Sequence, residues 1–221
     1  MSKKKLIHFQ ENLTFPHLFQ PKYHDIENGF ILRGRWNIDY FKNTHPIVLE
    51  LGCGKGEYTV GLAQQYPDKN FIGIDLKGAR LWKGSKTVAE TGMKNVAFIR
   101  NQVDHVEKFF AAGEVSEIWI TFPDPQVPKE RKRLTSPVFL ERYANVMIPG
   151  GVIHLKTDSS FFFEYTLSVI REHNHRLVYA TDDLYSSGFE GPVMPIRTFY
   201  ENMWLEKGKK ICYVEFKMGE K

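Results

Sequence analysis

Three acidic residues, each at or just past the end of an apolar run, are the groups in this chain best placed to do chemistry. Glu50 lies in Ile47-Val48-Leu49-Glu50-Leu51, which leads into the loop Gly52-Cys53-Gly54-Lys55-Gly56. Asp75 closes Phe71-Ile72-Gly73-Ile74-Asp75, and Asp124 stands between prolines in Phe122-Pro123-Asp124-Pro125. A glycine loop between strand and helix lets a ligand approach the backbone, with amides at the helix N-terminus facing it. A dinucleotide fingerprint reads G-x-G-x-x-G, and here the spacing is G-x-G-x-G. A carboxylate at the strand end would also repel a pyrophosphate. The same carboxylate attracts the ammonium and sulfonium charges of S-adenosylmethionine, whose own carboxylate can use the helix N-terminus. Asp75, at the tip of the next strand, can accept both hydroxyls of an adenosine ribose. Adenosylmethionine is therefore the expected cofactor; NAD or a purely structural turn are the alternatives.

These residues need an open α/β sheet to bring them together. From Ile47 onward apolar runs alternate with helical periodicity, which predicts a parallel sheet. Strands are expected at 47–51, 71–75, 96–100, 117–122, 152–157, 176–180 and 210–216, and helices near 57–65, 79–91, 104–110, 137–146 and 161–172. Gly92 and Gly150-Gly151 read as helix stops. The expected class is a Rossmann-like, class I adenosylmethionine-dependent methyltransferase fold: a seven-stranded, mostly parallel sheet flanked by helices, its last two strands closing one edge. Residues 1–45 read as a basic and aromatic extension, and 46–221 as the methyltransferase domain. The extension is broken by Pro16, Pro21, Gly29 and Gly34 and interleaves aromatics with Lys22, His24, Arg33 and Arg35. Such an arm either grips nucleic acid or packs its rings against the domain.

The bulk properties agree with one ordinary domain. The chain has 221 residues, 42% hydrophobic and 25% charged, with a net charge of +4. Two distant cysteines, Cys53 and Cys212, make neither a disulfide framework nor a metal-ligand spacing. No metal is expected. Lys3-Lys4-Lys5 is not followed by a signal-peptide core, and no apolar run reaches membrane-spanning length, so the expected location is the cytoplasm.

At the C-terminal end of a central parallel strand, Asp124 would face the ligand crevice, unless it merely caps a proline-rich turn. Four of the next five residues from Lys129 to Arg133 are basic. The run is either a solvated face or a phosphate clamp at the rim of the site. Asp158, after the fifth strand, reaches the same crevice or caps the following helix, a role Ser159 could equally take. Pro195 to Glu201 reads as a polar loop before the last strand.

Taken in this order, Glu50 to Gly56, Phe122 to Pro125 with its basic tail, Thr157-Asp158, and Thr198-Phe199-Tyr200-Glu201 resemble the tRNA (guanine-N7-)-methyltransferase family of the bacterial single-subunit type. The resemblance covers about Arg33 to Phe216. It implies methyl transfer from adenosylmethionine to N7 of the variable-loop guanine of tRNA. It places Glu50, Gly52, Gly54, Asp75, Asn101, Gln102 and Asp124 at the cofactor, with Asp124 at the catalytic junction with the guanine. Lys129, Asp158, Thr198, Phe199, Tyr200 and Glu201 would contact the substrate. No protein partner is implied; a monomer or homodimer is expected. Two positions depart from the family. Gln126 stands where a tryptophan is usual, and Gln102 stands where an aspartate is usual. Another nucleic-acid methyltransferase and a non-catalytic RNA-binding module of the same fold are the alternatives.

Overall fold

The computed structural model describes residues 3–219. In chain order the first elements are α1 (Lys3–Glu11), β1 (Leu18–Phe19), β2 (Ile47–Leu51), α2 (Glu57–Gln65), β3 (Asn70–Ile74), α3 (Gly78–Thr91) and β4 (Val96–Ile99). The rest are α4 (Val106–Phe109), β5 (Val115–Thr121), α5 (Pro137–Ala144), β6 (Met147–Thr157), α6 (Ser160–Glu172), β7 (Arg176–Thr181), α7 (Phe199–Glu206) and β8 (Cys212–Lys217). The sheet runs β1-β4-β3-β2-β5-β6-β8-β7, parallel from β1 through β6 and antiparallel where β8 meets β6 and β7. Strands β2, β3 and β4 are buried at every position, the mark of a parallel sheet covered on both faces. All parallel strands point their C-terminal ends to one edge, where Gly52, Asp75, Asn101, Asp124 and Asp158 emerge. No helix among the described residues is long and apolar enough to cross a membrane.

The sheet has eight strands, one more than expected. The addition is β1, two residues that leave no periodic trace in the sequence. It is held by Phe98 N–H donating to His17 O at 2.7 Å and Arg100 N–H to Phe19 O at 2.8 Å. Residues 1–45 also contribute α1, which the sequence reading lacked, and a π-helical turn at Trp36–Phe41. Trp36 is fully buried, its Nε1–H bonded to Phe109 O at 3.0 Å, with Phe30 and Phe110 close to its ring. Most of the extension's rings therefore serve packing, while Tyr23 stays exposed.

A second difference lies around Gly150-Gly151, expected to stop a helix. Helix α5 ends earlier, at Ala144, and both glycines fall within β6. There Val115 pairs with Met147 but Glu117 with Val152, so extra residues bulge out on the β6 side and Gly150 takes φ +68°.

Candidate active site

Glu50 is buried beneath the glycine loop. One carboxylate oxygen accepts from Thr59 N–H at 2.8 Å and from the Thr59 hydroxyl; the other accepts from Thr121 Oγ1 at 2.7 Å. Thr59 is the third residue of α2, so Glu50 caps that helix from the strand below and meets the positive end of its dipole. Burial pushes the carboxyl up to about 7, against the pull of the Thr59 and Thr121 bonds. Among the described residues Glu50 has no ion-pair partner.

The loop differs from the expected row of ligand-facing amides. Gly52 and Cys53 N–H both donate to Ile74 O, at 2.8 and 3.0 Å, and Gly56 N–H donates to Cys53 O at 2.8 Å. Gly54 N–H donates to Asp75 at 3.0 Å. The loop thus supplies shape more than donors. Gly52 and Gly54 adopt φ +74° and +56°. A Cβ on Gly54 would meet nothing within 4 Å, and one on Gly52 only Leu134 at 4.0 Å, so both open onto free space that a side chain would fill.

Asp75 is half-buried and also accepts from Lys77 N–H at 2.6 Å, so backbone bonds fix both its oxygens. It lines a cleft of about 480 Å³ together with Gly52, Asn101, Gln102 and Lys129. Asn101 uses its carbonyl oxygen on Gln102 N–H (2.9 Å) and His105 Nδ1 (2.7 Å), leaving Gln102 as the exposed amide at this wall. A smaller recess of about 70 Å³ adjoins it, lined by Glu50, Gly52, Gly54, Thr121, Thr198 and Tyr200. Gly52 and Arg80 line both, so the two recesses share a wall.

Asp124 is exposed and lines neither recess. Its carboxylate accepts from Gln126 N–H at 3.0 Å, a turn in which Phe122 and Gln126 both sit at φ +47°. A left-handed phenylalanine costs on the order of 1 kcal/mol. Phe122 lines the small recess and Gln126 the large cleft, so Asp124 bridges the two in sequence.

The basic run splits in two. Lys129 and Arg131 are exposed and carry no side-chain bond among the described residues. Lys132 pairs with Asp104 at 2.9 Å, and Arg142 meets the same carboxylate at 3.3 Å. Arg133 is buried, donates to Val127 O at 3.0 Å and lies 4.2 Å from the Tyr165 ring centroid and 4.7 Å from that of Phe161. The expectation of a uniform phosphate clamp is corrected for Arg133, which fastens the loop to α6.

Asp158 pairs with Lys209 at 3.4 Å, and Ser159, not Asp158, caps α6 by accepting from Phe162 N–H at 3.2 Å. Thr198 to Glu201 begin helix α7, where a loop was expected. Thr198 is its N-cap and Glu201 returns the bond in a capping box, a T-x-x-E pattern that was legible in the sequence. Phe199 N–H donates to Glu57 at 3.2 Å and Lys55 Nζ lies 4.1 Å from the Phe199 ring centre, so the segment sits against the glycine loop. Glu201 is fully buried and paired with Lys156 at 2.5 Å. Of the four expected contact residues here, Phe199 and Tyr200 are exposed and Thr198 and Glu201 hold the fold.

Residues 44–214 match the family described as "Putative methyltransferase". Over 221 residues the chain is 49% identical to the tRNA (guanine-N(7)-)-methyltransferase of Bacteroides thetaiotaomicron, covering 100% of this chain and 88% of that one. It is 54% identical to the enzyme of that name from Christiangramia forsetii, covering 98% and 99%. The chain belongs to the tRNA (guanine-N(7)-)-methyltransferase family. Solved methyltransferases share its fold at low identity. The 16S rRNA methyltransferase KamB aligns at TM-score 0.65 and 15% identity, over 82% of this chain and 91% of that one. An adenosylmethionine-dependent methyltransferase from Aquifex aeolicus aligns at 0.55 and 14%, over 90% and 100%. Sequence reading within this family missed Thr59 and Thr121, which hold Glu50, and Lys156, whose signal was a charge inside an apolar strand.

Proposed function

We propose that the chain transfers a methyl group from adenosylmethionine to N7 of the variable-loop guanine of tRNA. The names of its relatives give tRNA guanine-N7 methylation. The observation that carries the reading is the pair of adjoining recesses lined by Glu50, Asp75, Gln102, Thr198 and Tyr200, with Asp124 on the turn between Phe122 of one wall and Gln126 of the other.

Glu50, held by two hydroxyls and one amide, would take the methionine ammonium, whose charge the buried carboxylate still lacks. Asp75 would accept the ribose hydroxyls, and Asn101 and Gln102 would line the adenine. Gly52 and Gly54 would let the ligand lie against the backbone. Adenosylmethionine supplies an electrophilic methyl on a sulfonium. Guanine N7 carries a lone pair and no proton, so its attack forms the N–C bond as the C–S bond breaks, with no general base. The positive charge passes to the purine, where exposed Asp124 would stabilise it as it develops or accept N1–H and the amino group of the base. Alignment of donor and acceptor then supplies most of the rate. Lys129 would contact the RNA backbone, and Asp158 and Tyr200 the flipped guanine or its neighbours. We place the protein in the cytoplasm, as a monomer or homodimer acting without a second protein.

Incubation with labelled adenosylmethionine and unmodified tRNA transcripts tests this, with 7-methylguanosine in the variable loop as the expected product. Asp124→Ala, on an exposed turn, should lower kcat by at least about a hundredfold while the melting curve stays unchanged. Normal turnover by that variant would move the reaction away from Asp124.

A further inference from the structure

Helix α7 is attached to the body in an unusual way. Of its eight residues only Glu201 is buried, while Phe199 and Tyr200 are exposed. Surface helices normally bury an apolar stripe; here Trp204 and Leu205 are only partly buried against the core, and the most deeply held residue is a charge.

Its partner is Lys156, on β6, whose side chain is also fully buried. An ammonium has three protons to donate, and the acceptors around this one come from several elements. Glu201 Oε1 lies at 2.5 Å, Tyr58 OH of α2 at 2.8 Å, Val193 O at 3.3 Å, Tyr185 OH at 3.4 Å and Ile196 O at 3.5 Å. Tyr185 in turn donates to Glu201 at 2.6 Å, and Tyr58 donates to Val193 O at 3.1 Å. One charge therefore joins the helix that follows the glycine loop, a central strand, the chain from 185 to 196, and α7.

We propose that Lys156 is a positioning residue, whose buried ion pair with Glu201 holds Thr198 and Tyr200 against the glycine loop and so sets the acceptor side of the groove. This rests on the methyltransferase reading and deepens it. Glu201 acts on the substrate through the cap it anchors, because its carboxylate is fully enclosed and taken by Lys156, Tyr185 and Thr198 N–H. A pair this deep is a poor source of net stability, since desolvation offsets the attraction, but removing one partner leaves a buried charge with no counter-charge. The helix then has a reason to leave while the sheet stays intact.

The test uses Lys156→Met, Glu201→Gln and the double variant. Gln at Glu201 keeps the capping box, which accepts either residue, and the double variant is neutral on both sides. Hydrogen exchange read by mass spectrometry should quicken at least about tenfold across residues 198–206 in Lys156→Met, with α2 and β2 unchanged. The same amides should quicken less in Glu201→Gln and regain protection in the double variant. In the methylation assay, kcat/KM for tRNA should fall about thirtyfold or more in Lys156→Met, while the adenosylmethionine Kd moves less than about threefold. Unchanged exchange at 198–206 in both single variants overturns the proposal, and so does equal loosening of α2 and β2, which marks a general structural role. Exchange needs no substrate. Failure of the wild-type protein to methylate tRNA would therefore count against the assigned reaction and leave the anchoring result readable.

Discussion

Two carboxylates on neighbouring strands, Glu50 buried and Glu117 half-buried, have opposite electrostatic fates. Glu117, near the start of β5, pairs in register with Val48; Glu50, near the end of β2, pairs with Trp119 two residues further along. Glu117 accepts from Lys69 at 2.8 Å and from Trp119 Nε1 at 2.6 Å, with His154 Nε2 at 3.3 Å. Burial would raise its pKa, but the His154 and Lys69 contacts outweigh that and bring it down to about 2. Glu50 has hydroxyls and an amide for partners, and burial wins, lifting it to about 7. The lower end of the sheet is electrically complete and the upper end is not. That difference separates a carboxylate that holds the fold from one suited to a cationic ligand.

Exchanging each carboxylate for its amide should expose the contrast most strongly. Glu50→Gln is expected to weaken adenosylmethionine binding by about a hundredfold or more, by loss of a buried charge pair, while leaving apo stability equal or higher. Glu117→Gln should do the reverse, lowering stability by about 3 kcal/mol with the cofactor Kd unchanged. Calorimetry and denaturant melts read both, and matching effects at the two positions would erase the distinction.

The pH dependence sharpens it. With Glu50 in its proposed role it would have to be ionised to meet the ammonium, so adenosylmethionine affinity should rise close to tenfold per pH unit up to about 7 and level off above it. A raised pKa also means the apo protein draws stability from protonated Glu50. That contribution is whole below the unfolded value of 4.5 and is lost as pH climbs through 7. Glu117 is depressed, so its contribution is present above 4.5 and fades as pH falls towards 2. Melting temperatures of the wild type and Glu50→Gln between pH 5 and 8 should converge as pH falls only if the Gln variant lacks this slope.

The smallest expected effect concerns the rim. Neutralising Lys129 and Arg131 together should lower the salt slope of tRNA binding by about two at most, each free charge standing for one phosphate contact. Replacing Lys132 should change it less, because Asp104 already holds that ammonium. Equal slopes for the two variants would return the whole run to one solvated face.

Much of this was legible in the sequence because the parallel strands are short apolar runs ending in acid or glycine, and those two signals coincide at Glu50 and Asp75. What escaped was decided by partners remote in sequence. Strand β1 exists because Phe98 and Arg100 supply amides to it, and two residues have no period to detect. Arg133 reads as one more charge of a run until Tyr165 and Phe161 enclose it. Lys156 and Glu201 were visible as charges, but nothing in a string of letters says that they meet across 45 residues in a dry interior. The Thr198–Glu201 capping box was local, and could have been read.

The glycine loop carries a consequence for discrimination among metabolites. Its outline is that of a phosphate cradle, yet the amides of Gly52, Cys53, Gly54 and Gly56 already point at protein oxygens. An anionic tail laid against the loop would find none of those four amides free and a buried carboxylate beneath them, and would have only the cationic side chains of the walls, such as Arg80 and Lys55, to meet it. Four of the amides that a phosphate cradle would offer are thus already spent on hydrogen bonds the protein has made with itself.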